Sequence, residues 1–384
     1  MKQILFLFGS ILFLLTNAGC QRNGSERGDA GNSTGNIKVG VYVDLTGQFS
    51  GTGQSIKNGV ELARDEINQA GGINGRQLEL IVEDDRGLPD GGGAAVARMV
   101  EQNHVQAIIG DASPGVLAAA TKAQEAKVPL LTTSATDPKV TGVGDYVFRV
   151  SFLDSFQGEA MAKYAANNLH AKTAAILSES NSDYSSALAQ AFDENFNKLG
   201  GQVTQKLSYA QADENFKGEL TAIRDANPDV LYIPGRYTQV GRIAKQVKEL
   251  GVKATLLGGD GWNNPQLFQV DANALDGSYI TALFSANDPE PQVRKFTSDY
   301  AARFGGQPDA SAALAYDATK LLADALTRAG TSDGAKLRAA IAQTANYKGL
   351  TGIISFNAER NAVKPIVIFK IQGGKFYPVY REER

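Results

Sequence analysis

From Ile37 to Val43 the chain is β-branched and alternates, which predicts a strand, and after a Gly/Ser/Thr-rich turn Ile56, Val60, Ala63, Ile67 and Ala70 recur at helical spacing. Gly71 and Gly72 end that helix. The order then repeats as strand 78–82, helix 92–102, strand 107–109, helix 115–127 and strands 129–131 and 146–150. A second cycle follows: helix 157–168, strand 173–177, helix 184–199, strand 203–207, helix 216–226, strand 230–233, helix 240–250 and strand 255–257. Strands that alternate with helices specify parallel βαβ units and a doubly wound sheet. Two such cycles of similar length predict an α/β protein with two similar doubly wound lobes. The last section holds helices 291–304 and 310–329 and closing strands 352–356 and 366–371, too little for a third lobe. It is expected to supplement both lobes, so that the chain crosses between them more than once.

One apolar run stands outside this pattern. Lys2 precedes an almost unbroken apolar stretch from Ile4 to Leu15, and the small residues Ala18 and Gly19 stand before Cys20, the only cysteine. The run is shorter than a membrane span and fits the h-region of an export signal. It resembles a bacterial lipoprotein signal, cleaved before a cysteine that is then lipidated, with Asn17 where such signals usually carry Leu. The simpler alternative is an ordinary secretory signal cut nearby. Residues 21–36 contain no apolar residue beyond Ala30 and four glycines, the composition of a flexible tether. A coil of that length spans roughly 20–25 Å. The expectation is therefore a signal peptide over 1–19, a lipidated Cys20 with a tether to residue 36, and a body outside the cytoplasm, held to the membrane by its lipid.

At 384 residues the chain exceeds the usual size of one hydrophobic core. Its net charge is −3 and its basic residues are dispersed, which excludes the footprint of a nucleic-acid binder. Catalysis finds little support. The two histidines, His104 and His170, each fall in a turn between a helix and the next strand. In a parallel sheet such turns lie at the amino ends of strands, whereas ligands bind beyond the carboxyl ends. An exported α/β hydrolase built on Ser113 would need a histidine on the opposite side of its lobe. Glu83, Asp84 and Asp85, in "VEDDRG", stand at a strand end where magnesium could bind, but carboxylates there also order turns and no phosphate-binding companion is near. "GTGQSI" lacks the last glycine of a dinucleotide fingerprint, and "GGING" is a helix stop. No enzyme activity, cofactor or metal is expected.

Two strand ends carry the candidate chemistry. "IIGDASPG" places Ser113 before Pro114, at the expected N-cap of a helix whose exposed amides favour an anion. "LLTTSATDP" adds Ser134 and Thr136 from the next strand, so the groups together form a candidate carboxylate clamp. In the second cycle "LLGGDGWNNP" supplies Asp260 as partner for an ammonium, although Asp-Gly is also common turn chemistry. An anion clamp on one lobe and an acid on the other would draw a zwitterion between them.

These residues carry a family resemblance. "GVYVDLTGQFSGTGQSIKNGVELARDEINQAGGINGRQLELIVEDD", "VPLLTTSATDP", "FQGEAMAKYA", "LGGDGWNNP" and "ALAYDATKLLADAL" resemble the leucine/isoleucine/valine-type solute-binding proteins of ABC transporters, with the type I periplasmic-binding fold. The resemblance runs from about Ile37 to Tyr377 and implies lobes of 37–153 plus 285–364 and 154–284 plus 365–384, joined by a multi-strand hinge. It implies that Ser113 and the Thr136 amide take a ligand carboxylate, and that the Ser134 carbonyl, Thr136 hydroxyl and Asp260 receive the ammonium. Tyr184 matches an aromatic that closes over the ligand. Arg236 stands where a carboxylate-bonding Tyr is common, with Tyr237 next to it, and Thr52 where some relatives have an aromatic; at these positions branched-chain specificity does not carry over. Arg236 either faces the cleft, as a carboxylate partner or a partner for a second acidic group, or faces solvent. The implied partners are an amino acid or analogue and an ABC permease and ATPase, with the binding protein a monomer. A ligand sensor for a membrane receptor is the alternative within binding proteins.

Overall fold

The computed structural model describes residues 35–111 and 114–382. The expected signal peptide, Cys20, most of the tether and Ser113 lie outside the described residues. No described helix is long and apolar enough to cross a membrane.

The first cycle forms β1 (Ile37–Val43), α1 (Ser50–Gln69), β2 (Leu78–Asp84), α2 (Gly91–Glu101), β3 (Ala107–Gly110), α3 (Val116–Ala126), β4 (Leu130–Thr132), the short α4 (Lys139–Gly142) and β5 (Val147–Arg149). Its strands make a parallel sheet in the order β2-β1-β3-β4-β5. The second cycle forms α5 (Asp154–Asn167), β6 (Thr173–Glu179), α6 (Asp183–Lys198), β7 (Gln202–Tyr209), α7 (Lys217–Ala226), β8 (Val230–Ile233), α8 (Tyr237–Glu249), β9 (Thr255–Gly258) and β10 (Tyr279–Ala282). Then come α9 (Pro291–Phe304), α10 (Ala310–Ala329), α11 (Gly334–Ala342), β11 (Tyr347–Gly349), β12 (Gly352–Phe356), β13 (Ala362–Val363), β14 (Ile366–Gln372) and β15 (Lys375–Glu382). The second sheet runs β15-β14-β10-β9-β8-β6-β7, with only the β10–β14 and β14–β15 pairings antiparallel, and β11-β12-β13 form a small antiparallel sheet.

The periodicity holds because each element buries the face it encodes. Ile56, Val60, Ala63 and Ile67 of α1 are all in the core. α1 also packs along α10, and Gly59 permits that approach: a Cβ there would lie 2.2 Å from the Ala312 carbonyl oxygen. The chain leaves the first sheet after β5, returns when α9 and α10 pack on α1, and re-enters the second sheet at β14. The chain thus passes between the two sheets more than once.

The structure adds elements the pattern does not announce. β10, α11 and β15 are all present, so the chain closes on β15 rather than on strand 366–371. β15 is an exposed edge strand with Pro378 beside a register shift opposite β14. Proline is tolerated there because an edge strand has an unpaired side, and its presence masks the strand in the sequence. α5 begins at Asp154, three residues before its apolar spacing becomes evident.

Candidate functional site

Each parallel sheet reverses its strand order once, between β1 and β3 in the first and between β6 and β8 in the second. Crevices open beyond the carboxyl ends of strands at such points. A cleft of about 690 Å³, open mouth included, lies there. From the first sheet, Thr52, Ser134 and Thr136 line it, together with Phe49 and Asp111. From the second come Tyr184, Arg236, Tyr237 and Asp260, so Arg236 and Tyr237 both face the cleft.

The first wall is held by buried polar groups at the strand ends. Asp44 follows β1 and accepts the Gly47 and Phe49 N–H groups, which sets the turn presenting Phe49. Arg149, fully buried at the end of β5, donates to the Ala135 carbonyl at 2.7 Å and to the Asp137 carbonyl, and so pins the backbone on both sides of Thr136. It also donates to Asn361 Oδ1 at 2.9 Å, near the last crossing. Burial pushes the Arg149 guanidinium down to about 10, against the pull of the Asp154 and Asp137 charges. The Ser134 hydroxyl oxygen is buried and makes no hydrogen bond among the described residues. One expectation is corrected here: α3 starts at Val116 with Gly115 at its cap, so Pro114 is not its first residue and the cap position does not fall at 113. Pro114 and Gly115 instead form the turn before the helix.

The second wall centres on Asp260. Its carboxylate accepts the Tyr184 hydroxyl at 2.8 Å and the Gln157 side-chain N–H at 3.0 Å. Gln157, fully buried on α5, also accepts the Asp260 N–H at 3.1 Å and the Thr281 hydroxyl at 2.7 Å. Burial raises the Asp260 carboxyl, opposed by the Tyr184 and Gln157 hydrogen bonds and by the Arg236 charge. Behind the loop, Trp262 is buried and donates to the Ile233 carbonyl at 3.0 Å. A second carboxylate, Asp154, is buried at the start of α5, and its Oδ2 makes no hydrogen bond among the described residues. Burial pushes Asp154 up to about 8; Asp260 adds to the shift, while the Thr136 hydroxyl and the Arg149 and Arg236 charges oppose it.

The two walls touch. The Arg236 guanidinium carbon lies 4.7 Å from the Tyr184 ring centre and 5.1 Å from that of Phe49, which stands on the opposite wall. Tyr237 and Thr52 line the cleft from opposite walls. An exposed ion pair, Lys139 to Asp183 at 3.1 Å, also joins the two sides.

The remaining candidates lie elsewhere. His104 and His170 sit in the turns before β3 and β6, at the amino ends of those strands, and neither lines the cleft. Asp44, Asp84 and Asp85 place carboxylate oxygens within 4.8 Å of one another. They order turns: Asp84 accepts the Leu45 and Arg86 N–H groups, each at 2.9 Å, and the Thr46 hydroxyl at 2.6 Å, and Asp85 accepts the Gly87 N–H at 2.9 Å. Glu83 pairs with Arg98 at 2.7 Å.

Sequence reasoning passed over Asp154, Gln157, Arg149 and Phe49. Asp154 reads locally as an acid favouring a helix start, and Arg149 as the polar end of a short strand. The one available signal was position, since Phe49, Arg149 and Asp154 all follow or end first-sheet strands at their carboxyl side.

The family model described as periplasmic binding protein matches residues 36–375. The Leu/Ile/Val-binding protein BraC3 of Rhizobium johnstonii is 30% identical over 304 residues, covering 78% of this chain and 81% of its own length. The crystal structure of a leucine binding protein, LivK from Thermotoga maritima, matches with a TM-score of 0.84 and 34% identity over 90% of this chain and 99% of that one. The branched-chain amino acid transporter substrate binding protein LivJ from Streptococcus pneumoniae, solved with isoleucine, matches with a TM-score of 0.84 and 30% identity over the same shares.

Proposed function

Because the chain belongs to the periplasmic binding protein family, we propose that it is the extracytoplasmic substrate-binding protein of an ABC importer and carries an amino acid or related small zwitterion in its interlobe cleft. The observation that carries this reading is the disposition of charge: Asp260 on the second wall faces the Ser134–Thr136 loop of the first across one cleft. The ligand ammonium lies against Asp260, the Thr136 hydroxyl and the Ser134 carbonyl, with Asp154 close behind; its carboxylate lies against the Thr136 amide and Ser113. A charge-assisted hydrogen bond contributes about 1.5–3 kcal/mol, and a buried charge left unpaired costs more, so the site rejects molecules that lack either end. Closure of the walls removes water and strengthens each contact. Binding alone completes the task, because the closed form is what a permease can recognise.

The lobes are 37–153 plus 285–364 and 154–284 plus 365–384. Lipid on Cys20 holds the monomeric protein to the membrane, so Cys20→Ala releases it; continued membrane association would count against the anchor. The cleft reading is tested by thermal shift against all amino acids and small organic acids. A ligand at about a hundred times its Kd stabilises the folded state by about 2.7 kcal/mol. A flat response to every amino acid would overturn the reading.

A further inference from the structure

We infer that the bound amino acid has a polar side chain ending in an acceptor oxygen, a carboxamide or a carboxylate, which Arg236 holds; it is not a branched aliphatic one. The inference rests on the amino-acid reading above and specifies its ligand.

Among the described residues the cavity that holds Asp260, Ser134 and Thr136 is lined by no Leu, Ile, Val, Met or Ala; Val116, Leu117, Ala135 and Val140 line only the adjoining opening beyond Arg236, beside the acids Asp137, Glu179 and Asp183. The cavity's one wholly hydrocarbon side chain, Phe49, already carries the Arg236 guanidinium. Arg236 is held in place by the Phe49 and Tyr184 rings, yet no hydrogen bond or ion pair among the described residues uses its N–H groups. The acids Asp260, Asp154 and Glu179 act on it through space without hydrogen-bonding it, and Arg236 lines the cavity. A planar fork held between rings is suited to one or two oxygen acceptors in its own plane.

The rest of the cavity lining is also polar. Asn263 donates to the Phe284 carbonyl at 2.9 Å, and Asn264 accepts the Gln266 N–H at 2.8 Å, so neither amide can swing away to leave an apolar wall. Ser311 and Thr52 complete it. An aliphatic side chain seated here would displace water from these groups and return no hydrogen bond, whereas a terminal oxygen returns what it displaces.

Calorimetric titration of the purified full chain with L-glutamine, L-glutamate and L-leucine tests this. Glutamine or glutamate should bind at least about tenfold tighter than leucine, and whichever binds better tells carboxamide from carboxylate. Arg236→Met should bring the preferred ligand to within about threefold of leucine, weakening it more than it weakens leucine. Arg236→Lys, which keeps the charge without the fork, should fall between. Leucine binding more tightly than both polar ligands would overturn the inference while leaving the amino-acid reading in place. Equal weakening of all three ligands by Arg236→Met would also overturn it, because Arg236 would then serve the shared α-carboxylate. Failure of every amino acid to bind would instead remove the parent reading. Should Arg236→Met melt early, the ranking in the unaltered protein decides alone.

Discussion

The Tyr184 hydroxyl donates to the Asp260 carboxylate at 2.8 Å and itself accepts the Gly261 N–H at 2.9 Å, so one side chain fixes both the acid and the backbone of its loop. Gln157 does the same from α5, donating to the Asp260 carboxylate at 3.0 Å and accepting its N–H at 3.1 Å. Asp260 is thus held in place by the protein's own groups.

Asp260→Asn keeps the shape of that cradle and removes its charge. Amino-acid affinity should fall by about 1.5–3 kcal/mol, roughly ten- to a hundredfold. The melting temperature without ligand should hold or rise, because burial already disfavours the ionised carboxylate. Tyr184→Phe should cost less, since Gln157 still supports the acid. An unchanged Kd for Asp260→Asn would take this residue out of the site.

Asp154 should make stability depend on pH. In the unfolded chain it loses its proton near pH 4, whereas burial holds the folded carboxyl at about 8. Across that window the folded state retains a proton the unfolded chain has released, so this group's contribution falls as pH rises. Asp154→Asn removes the slope, and its melting temperature should gain on the unaltered protein between about pH 5 and about pH 8. Parallel melting curves over that range would contradict a raised Asp154.

Arg149 grips the loop that carries Thr136 from both sides. Arg149→Met should lower the melting temperature, because the Ala135 and Asp137 carbonyls lose their donor, and should also weaken amino-acid binding by about tenfold or more as the loop loosens. Calorimetry at a temperature where the variant remains folded separates the two effects. Loss of stability with unaltered affinity would show that the loop keeps its shape without the guanidinium.

Lys364 stands just before β14, where the chain makes its last crossing, and its ammonium donates to the Thr351 hydroxyl at 2.6 Å. That hydroxyl donates to Asp317 at 2.6 Å, so two buried charges are joined through one threonine. Burial lowers Lys364 to about 8 against the attraction of Asp317, whose own carboxyl burial raises. Removing either charge alone should cost about 3–5 kcal/mol in urea unfolding, and replacing both should cost less than the sum of the two. Additive losses would mean that the pair is not coupled.

The order of strands and helices was legible in the sequence because burial imposes its period locally: the spacing of Ile56, Val60, Ala63 and Ile67 needs only the helix to be understood. Parallel topology then pointed to the strand ends, and Ser134, Thr136 and Asp260, which line the cleft, could be named as candidates because each lies within four residues of a strand end. What the sequence could not specify was which groups meet. Arg149 finds Asn361 across 212 positions, and Gln157 finds Asp260 across 103. Arg236 lies between Phe49 and Tyr184 only because two separately wound sheets face each other. Such contacts depend on repeated crossings of the chain, and a polar side chain that is paired at long range leaves no periodic trace beside itself. The local pattern therefore determined the elements and the sheet edge at which the cleft opens, while the tertiary arrangement decided the character of the cleft.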